Sequence, residues 1–426
     1  MAETIITAIN MGSSEISVAI ALLNENKKLE IKGKGIVTSD GIEKGIVKDL
    51  PLTAESIQKA IKIAEKQSDV EVENIFVGIS GQHIICQETV GRISLATDNQ
   101  PCEINHSHII AAINDGKNSI KTSANIEKYE ILECLPLFYE IDKQDAIKNP
   151  IGMSGFSMKV HLKIILADAT HIRNIKKCFE LAGIKKEPTI LLGALATADM
   201  VMNDDERKLG CALLDIGEGT TDIVIFQQSL FLSYLCVSMG GGLVSNDLAS
   251  GLRTPPSSAE IIKIEHGNVL PSTVKAEKQI EVDGIGGRQP IKRPLSWISQ
   301  IIQIRVKDII DTCYKDMLAV YPDLDRLNAG LILTGGTAML ENIHLMIEDK
   351  NGFNLPCKVA VPDTKGFSGS LQQLDNSRYV QLIAIFSYAI KSGSLEKQPE
   401  KKTIMFEQVG SNIKNNILKI FKKINF

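Results

Sequence analysis

The sequence predicts a duplicated α/β fold, in which two related halves close on a cleft, with a small α+β insertion in the first half and an amphipathic helix at the end. Three observations predict it. The stretch LLDIGEGTTDIVIF, residues 213–226, is an apolar strand, a turn of glycines and threonines, and a second apolar strand. The same plan occurs about 205 residues earlier in TIITAINMGSSEISVAIALLN. Ile9-Asn10-Met11-Gly12 matches Leu214-Asp215-Ile216-Gly217, and the return strand from Ile16 matches that from Asp222 with one gap position. The third observation is a change of texture between residues 83 and 166, where polar alternating stretches surround one helical run.

The first hairpin is followed by a helix over 54–67, with Ile57, Ala60, Ile61 and Ala64 at helical spacing, and by the buried strand NIFVGISG. Within the insertion, the helical run lies near 108–120. Residues 170–183 return to helix, with Ile172, Ile175, Phe179 and Ala182 on one face and a stopping glycine. After the second hairpin, SMGGGLVSNDLASGL is a glycine-rich turn entering a helix. TPPSSAEIIKIEHG is a prolyl break and a capped helix from about Ser257. VDGIGGRQPIKRPLSW reads as a basic loop, WISQIIQIRVKDIIDTCYKDMLAV as the longest amphipathic helix, and AGLILTGGTAMLENI as strand, double glycine and helix. The expected organisation is 1–82 for the start of the first half, 83–166 for the insertion and 167–210 for the return. Residues 211–390 form the second half and complete the first, 391–411 a linker with Pro399, and 412–426 the amphipathic helix.

Composition narrows the function. Of the 426 residues, 44% are hydrophobic and 23% charged, as in ordinary globular proteins. A net charge of −4 argues against a general nucleic-acid binder, which needs a basic surface. Residues 391–426 hold eight lysines and three glutamates, a net of +5, so residues 1–390 carry −9. The eight cysteines form no CxxC pair and lack a histidine at metal-ligand spacing, which points to a reducing compartment and no metal centre. With no leader and no run of about 18 apolar residues, the body is expected in the cytoplasm.

A glycine lets backbone N–H groups approach phosphate oxygens closely, because no Cβ stands in the way. One such turn is weak, since most are only turns. Here there are turns at Gly12, at Gly217 and Gly219, and at Gly335 and Gly336, with a fourth beginning at Gly240 and Gly241. Two duplicated hairpins facing each other leave room for a nucleotide, ATP or ADP. Ser13, Ser14, Thr220 and Thr221 supply hydroxyl donors, although such residues also satisfy turns. Asp215 is placed to hold Mg through water. Glu260 and Lys263, one helical turn apart, either face a ribose or base or form a surface ion pair.

In SNIKNNILKIFKKINF, Ile413, Ile417, Ile420, Phe421 and Ile424 fall in one stripe, with Lys419, Lys422 and Lys423 opposite. That pattern suits a helix lying on an anionic membrane surface, the alternative being a terminal helix packed on its own domain. Arg288, Lys292 and Arg293, followed by Arg305 on the long helix, are candidates for docking an acidic partner segment, though charged loops are usually only solvated.

The order of LLDIGEGTTDIVIF, TPPSSAEIIKIEHG and LILTGGTAMLENI, with DGIEKGIVKDL near the front and IKNPIGMSG in the insertion, resembles the actin-like ATPase superfamily, and within it the bacterial cell-division FtsA family. The resemblance covers essentially the whole chain. It implies an actin-like fold, an insertion used in self-association, and an adaptor that polymerises, ties filaments of the tubulin-like FtsZ to the cytoplasmic face of the inner membrane and recruits later division proteins. The FtsZ C-terminal tail would dock in the subdomain of the basic loop. Two departures concern the nucleotide. Asn10 stands where an acid is common, and Glu218 where a glycine is usual. A carboxylate 4 Å from a terminal phosphate would repel it by roughly 4 kcal/mol at an effective dielectric near 20, about three decades of affinity. Glu218 is therefore expected to turn outward or to weaken binding, and hydrolysis to be weak or absent. A kinase of the same fold would need a base for an acceptor hydroxyl, and none stands out. A chaperone ATPase would need a peptide-binding domain, and only about 90 residues follow Gly336.

Overall fold

The computed structural model describes residues 4–392, other than 25–27, 97–99, 123–125, 127 and 351. The tail stripe of Ile413, Ile417, Ile420, Phe421 and Ile424, its lysines Lys419, Lys422 and Lys423, and the linker after Ser392 lie outside the described residues.

Both halves are built on the same sheet. In the first, the strands run in the order Thr189–Leu192, Ile75–Ile79, Thr4–Met11, Glu15–Leu23, Leu29–Thr38 and Phe367–Gly369. In the second the order is Cys357–Val359, Gly330–Thr334, Cys211–Ile216, Thr221–Gln227 and Leu230–Val237. Each opening strand pairs antiparallel with its hairpin partner and parallel with the strand on its other side. The duplication thus extends from one hairpin to five strands. It also needs no gap: Met11 pairs with Ile16 and Ile216 with Thr221, so both turns hold four residues. Asn10 then stands opposite Ser17 as Asp215 stands opposite Asp222.

Helices cover the sheets, which is why the central strands are apolar on both faces. Leu50–Ser68 starts at Asp49, whose carboxylate accepts from the Leu52 N–H at 2.9 Å, and buries Ile57, Ala60, Ile61 and Ala64. It lies flush on Leu29–Thr38 because Gly33 and Gly35 alternate on the facing side. A Cβ on Gly35 would stand 2.9 Å from the Ala60 carbonyl carbon and 3.1 Å from the Ala64 nitrogen, and would collide with the Ala60 oxygen. Val380–Lys391 returns late in the sequence to pack on the first sheet, so the first half is completed by a segment that follows the second.

Between Ile79 and Ala169 an antiparallel sheet of Gln144–Ile147, Tyr129–Ile141, Ser157–Asp168 and Ile84–Ser94 carries the helix His106–Lys121 on one face and has its own core. Three local readings need correction. The helix Pro256–His266 begins at a proline and has no side-chain cap, since Pro255 itself occupies the cap position. The basic loop is partly a hairpin, Gln279–Val282 with Ile291–Pro294, so Lys292 and Arg293 are strand residues. After the double glycine comes a 3₁₀ turn, Thr337–Met339, and the α-helix begins only at Ile343. No described helix is long and apolar enough to cross a membrane.

The close approach at Gly35 gives a direct test of this packing. Gly35→Ala is expected to lower stability by about 1–3 kcal/mol, the usual cost of overpacking. A urea midpoint equal to that of the unmodified protein would show that helix and strand are not in such contact.

Candidate functional site

The two hairpin turns and the turn after Gly330–Thr334 meet at one cavity of about 460 Å³. Each turn is held by its own backbone. The Gly12 N–H donates to the Glu15 carbonyl at 3.1 Å, and the Gly217 N–H to the Thr220 carbonyl at 2.9 Å. Gly335, at φ +88°, turns the chain so that its N–H reaches the Ser377 carbonyl at 3.0 Å. The two hairpins touch across the cleft at Gly219, where a Cβ would stand 2.8 Å from Ser13 Oγ and 3.1 Å from Lys44 Cα. Ser13 Oγ in turn accepts from the Gly45 N–H at 3.1 Å.

Of the residues singled out in the sequence, Gly12, Ser13, Ser14, Asp215, Gly217, Gly219, Thr220, Glu260, Lys263, Gly335 and Gly336 line this cavity, together with Asn10 and Glu218. Thr221, Gly240 and Gly241 are not among the lining residues. The strand pleat puts Thr220 and Asp222 on one side and Thr221 on the other, where its hydroxyl donates to the Met239 carbonyl at 2.9 Å. Gly240 and Gly241 stand behind the second turn. The Gly241 N–H donates to the Gly217 carbonyl at 2.8 Å and the Gly242 N–H to the Glu218 carbonyl at 2.9 Å, so these donors are already used.

Glu260 and Lys263 form an ion pair at 2.7 Å that faces the cavity, with Lys263 only 9% exposed and donating also to the Gly241 carbonyl at 3.1 Å. Glu260 accepts from the Ser245 hydroxyl as well. Glu218 lines the cavity with its carboxylate packed against Gly242, where no Cβ stands in its way. The cavity walls desolvate that carboxylate and raise its pKa; Lys263 opposes the shift, and Glu260 and Glu43 add to it.

Sequence reasoning missed a second wall, made of Gln373, Asn376, Arg378, Tyr379 and Gln381, and with it Asp222 and the cavity role of Glu15. Arg378 pairs with Glu15. Asp222 accepts from the Tyr234 hydroxyl at 2.5 Å and faces Asp215 across the hairpin. Burial, then the neighbouring Asp222, pushes Asp215 up to about 7. Burial likewise raises Asp222, to about 6, against the pull of its hydrogen bonds.

The basic cluster is less unified than its spacing implied. Arg288 and Lys292 are exposed, and Arg293 lies over the Trp297 ring at 5.2 Å. Arg305 is bound to Asp247 at 2.6 and 3.2 Å and to Asp308 at 2.8 Å. It stands roughly 15 Å along the helix from Leu295. Among the described residues, no group of three or more metal-ligating side chains occurs.

A family model described as cell division protein FtsA matches residues 212–384, and one described as the SHS2 domain inserted in FtsA matches residues 81–166. Together they span more than half of the chain. The chain is 27% identical over 419 residues to the cell division protein FtsA of Escherichia coli K12, covering 96% of each. To that of Neisseria meningitidis serogroup B it is 29% identical over 409 residues, covering 96% of this chain and 95% of the relative. Among solved structures, the PilM-PilN type IV pilus biogenesis complex is similar at a TM-score of 0.61 and 11% identity, covering 90% of this chain and 98% of that one. MreB5 of Spiroplasma citri bound to ADP is similar at 0.52 and 14%, covering 92% and 97%. These likenesses show the fold, which is actin-like with an SHS2 insertion.

The raised carboxyl of Asp215 has a measurable signature. Between about pH 4 and 7 the folded protein keeps a proton there that the unfolded chain has released, so stability declines as pH rises through that window. Asp215→Asn is expected to flatten this decline in urea midpoints taken from pH 4.5 to 8; an identical slope in the variant would show that Asp215 is not protonated in the fold.

Proposed function

The chain belongs to the FtsA family of cell-division proteins and takes part in cell division; from that premise we propose that it is a nucleotide-binding, membrane-tethered adaptor that polymerises, links FtsZ filaments to the membrane and recruits later division proteins. The observation that carries the nucleotide half of this reading is the pair of duplicated glycine turns facing each other across one cavity. The cavity's volume lies within the range of small-ligand sites. The backbone N–H groups of Ser13, Ser14, Glu218, Gly219 and Gly336 have no hydrogen-bond partner among the described residues, so they are the donors left for phosphate oxygens. The MreB5 structures, bound to ADP and to AMPPNP, support the same reading.

A bound ATP or ADP would supply the phosphates. This chain's residues do the binding: the two hairpins and the Gly335–Gly336 turn hold the phosphate tail, and Ile264, Met339 and Leu340 give the mouth an apolar side for the base. Magnesium keeps several waters and needs only one or two carboxylates beside phosphate oxygens, which suits Asp215 acting through water. Binding rather than turnover is the proposed role. Burial raises Asp215 and Asp222 above the ordinary carboxylate range, and Lys263 is committed to Glu260 and the Gly241 carbonyl, which leaves it no freedom to follow a reacting phosphate. Self-association multiplies weak contacts of each tail with anionic lipid into a stable attachment. Arg288 and Lys292, exposed on the hairpin, are the better candidates for an acidic FtsZ tail, because Arg305 is committed to Asp247 and Asp308.

Equilibrium binding of labelled ATP and ADP tests the site. Glu218→Gly removes a carboxylate from the cavity lining, and with it a charge of the same sign as the phosphates, so the variant should bind both nucleotides tighter. Equal affinities would mean that this charge does not reach the ligand. Removing residues 411–426 should release the protein from anionic liposomes, and undiminished co-sedimentation would overturn the anchor.

A further inference from the structure

We propose that Arg378 is the residue by which this cavity distinguishes phosphorylated from unphosphorylated nucleosides, exchanging Glu15 for a phosphate of the ligand. The proposal rests on the reading of the cavity as a nucleotide site. It starts from charge. The lining holds five carboxylic acids, Glu15, Asp215, Glu218, Asp222 and Glu260, against two cations, Lys263 and Arg378. A polyphosphate entering this site needs a positive group that is free to meet it.

Lys263 is not that group. Its ammonium is buried, paired with Glu260 at 2.7 Å and tied to the Gly241 carbonyl at 3.1 Å, where it fastens one helix to the support of the second turn. Arg378 is held differently. Its stem rises beside the third glycine turn, with Cγ at 3.9 Å from where a Cβ on Gly336 would be, and its guanidinium reaches Glu15, the residue that closes the first turn. It therefore spans two of the three turns, those that carry the unpartnered N–H groups of Ser13, Ser14 and Gly336. Only one of its five N–H donors has a partner among the described residues, and its side chain is 37% exposed while that of Glu15 is 14% exposed. A planar fork with free donors fits phosphate better than it fits one carboxylate oxygen. Glu15 holds the fork in place, and its charge opposes the ligand that displaces it.

That opposition makes the two partners separable. Binding of ATP, ADP and adenosine to the full chain is measured by titration calorimetry for the unmodified protein, Arg378→Gln and Glu15→Gln, with urea midpoints confirming that each is folded. Arg378→Gln is expected to weaken ATP and ADP tenfold or more while leaving adenosine within twofold, and Glu15→Gln to strengthen ATP and ADP severalfold. Arg378→Lys, which keeps the charge but not the fork, should fall between. Equal losses for all three ligands, or weakening of ATP by both substitutions alike, would make the pair a structural strut and overturn the proposal. Failure of the unmodified protein to bind any of the three would sink the nucleotide reading and this role with it.

Discussion

The cavity exists because backbone is allowed to touch backbone where its walls meet. At Gly219 the second turn rests on Ser13 and on the backbone of Lys44, at Gly240 the chain passes so close to the second turn that a Cβ there would stand 2.6 Å from the Gly217 oxygen, and at Gly335 the third turn closes against Asp215. A side chain at any of these positions would move a wall. The five-strand duplication supplies the two hairpins, but the absence of Cβ atoms at their meeting points sets how near they come. That spacing brings the unused N–H groups of the three turns to one cavity.

The same region is joined to the insertion by a short strut. Asp222, on the cavity side of the second hairpin, accepts from the Tyr234 hydroxyl, and that oxygen accepts from the Gly81 N–H at 3.2 Å. Gly81 opens the path into the insertion, and His83, two residues on, accepts at its carbonyl from the N–H of Asp168, where the insertion returns. Gly45, whose N–H binds Ser13, packs against Ser80 and Gly81 from the other side. Both hairpin turns therefore bear on the root of the insertion, one through Tyr234 and one through Gly45. The chain places its separately folded piece where the site is most constrained.

What the sequence made legible was what depends on local pattern. Strand alternation and the repeat of apolar residue, polar residue and glycine were enough to show the duplication and the hairpins. The insertion's altered texture reflects a sheet with one covered face. What stayed hidden depends on partners far along the chain. Gln373 to Gln381 form a wall without any motif, because only the return of Val380–Lys391 to the first sheet brings them to residues near Asn10. Arg305 read as a free cation because Asp247 lies 58 positions away on another helix. The glycines at 240–242 looked like another phosphate turn, since composition does not tell an unused N–H from one already given to a carbonyl. Thr221 was paired with Thr220 by chemistry, and the pleat separated them.

The departure at Asn10 also looks different once the two halves are compared. At the floor of the first hairpin, Asn10 and Ser17 face each other, both neutral; at the floor of the second, Asp215 and Asp222 do. Burial raises both carboxyls, Asp215 to about 7 and Asp222 to about 6, and the charge of Asp222 adds to the rise at Asp215, so the pair gives up its last proton only near neutral pH. The second floor thus carries less negative charge near neutral pH than two free carboxylates would, but it is not neutral as the first is by residue type. A phosphate tail in the proposed site would meet negative charge from the second floor, so its counter-charge would have to come from an ion or from Arg378. In such a site the carboxylate of Glu218 packs against Gly242, and the charge of Lys263 offsets part of its own.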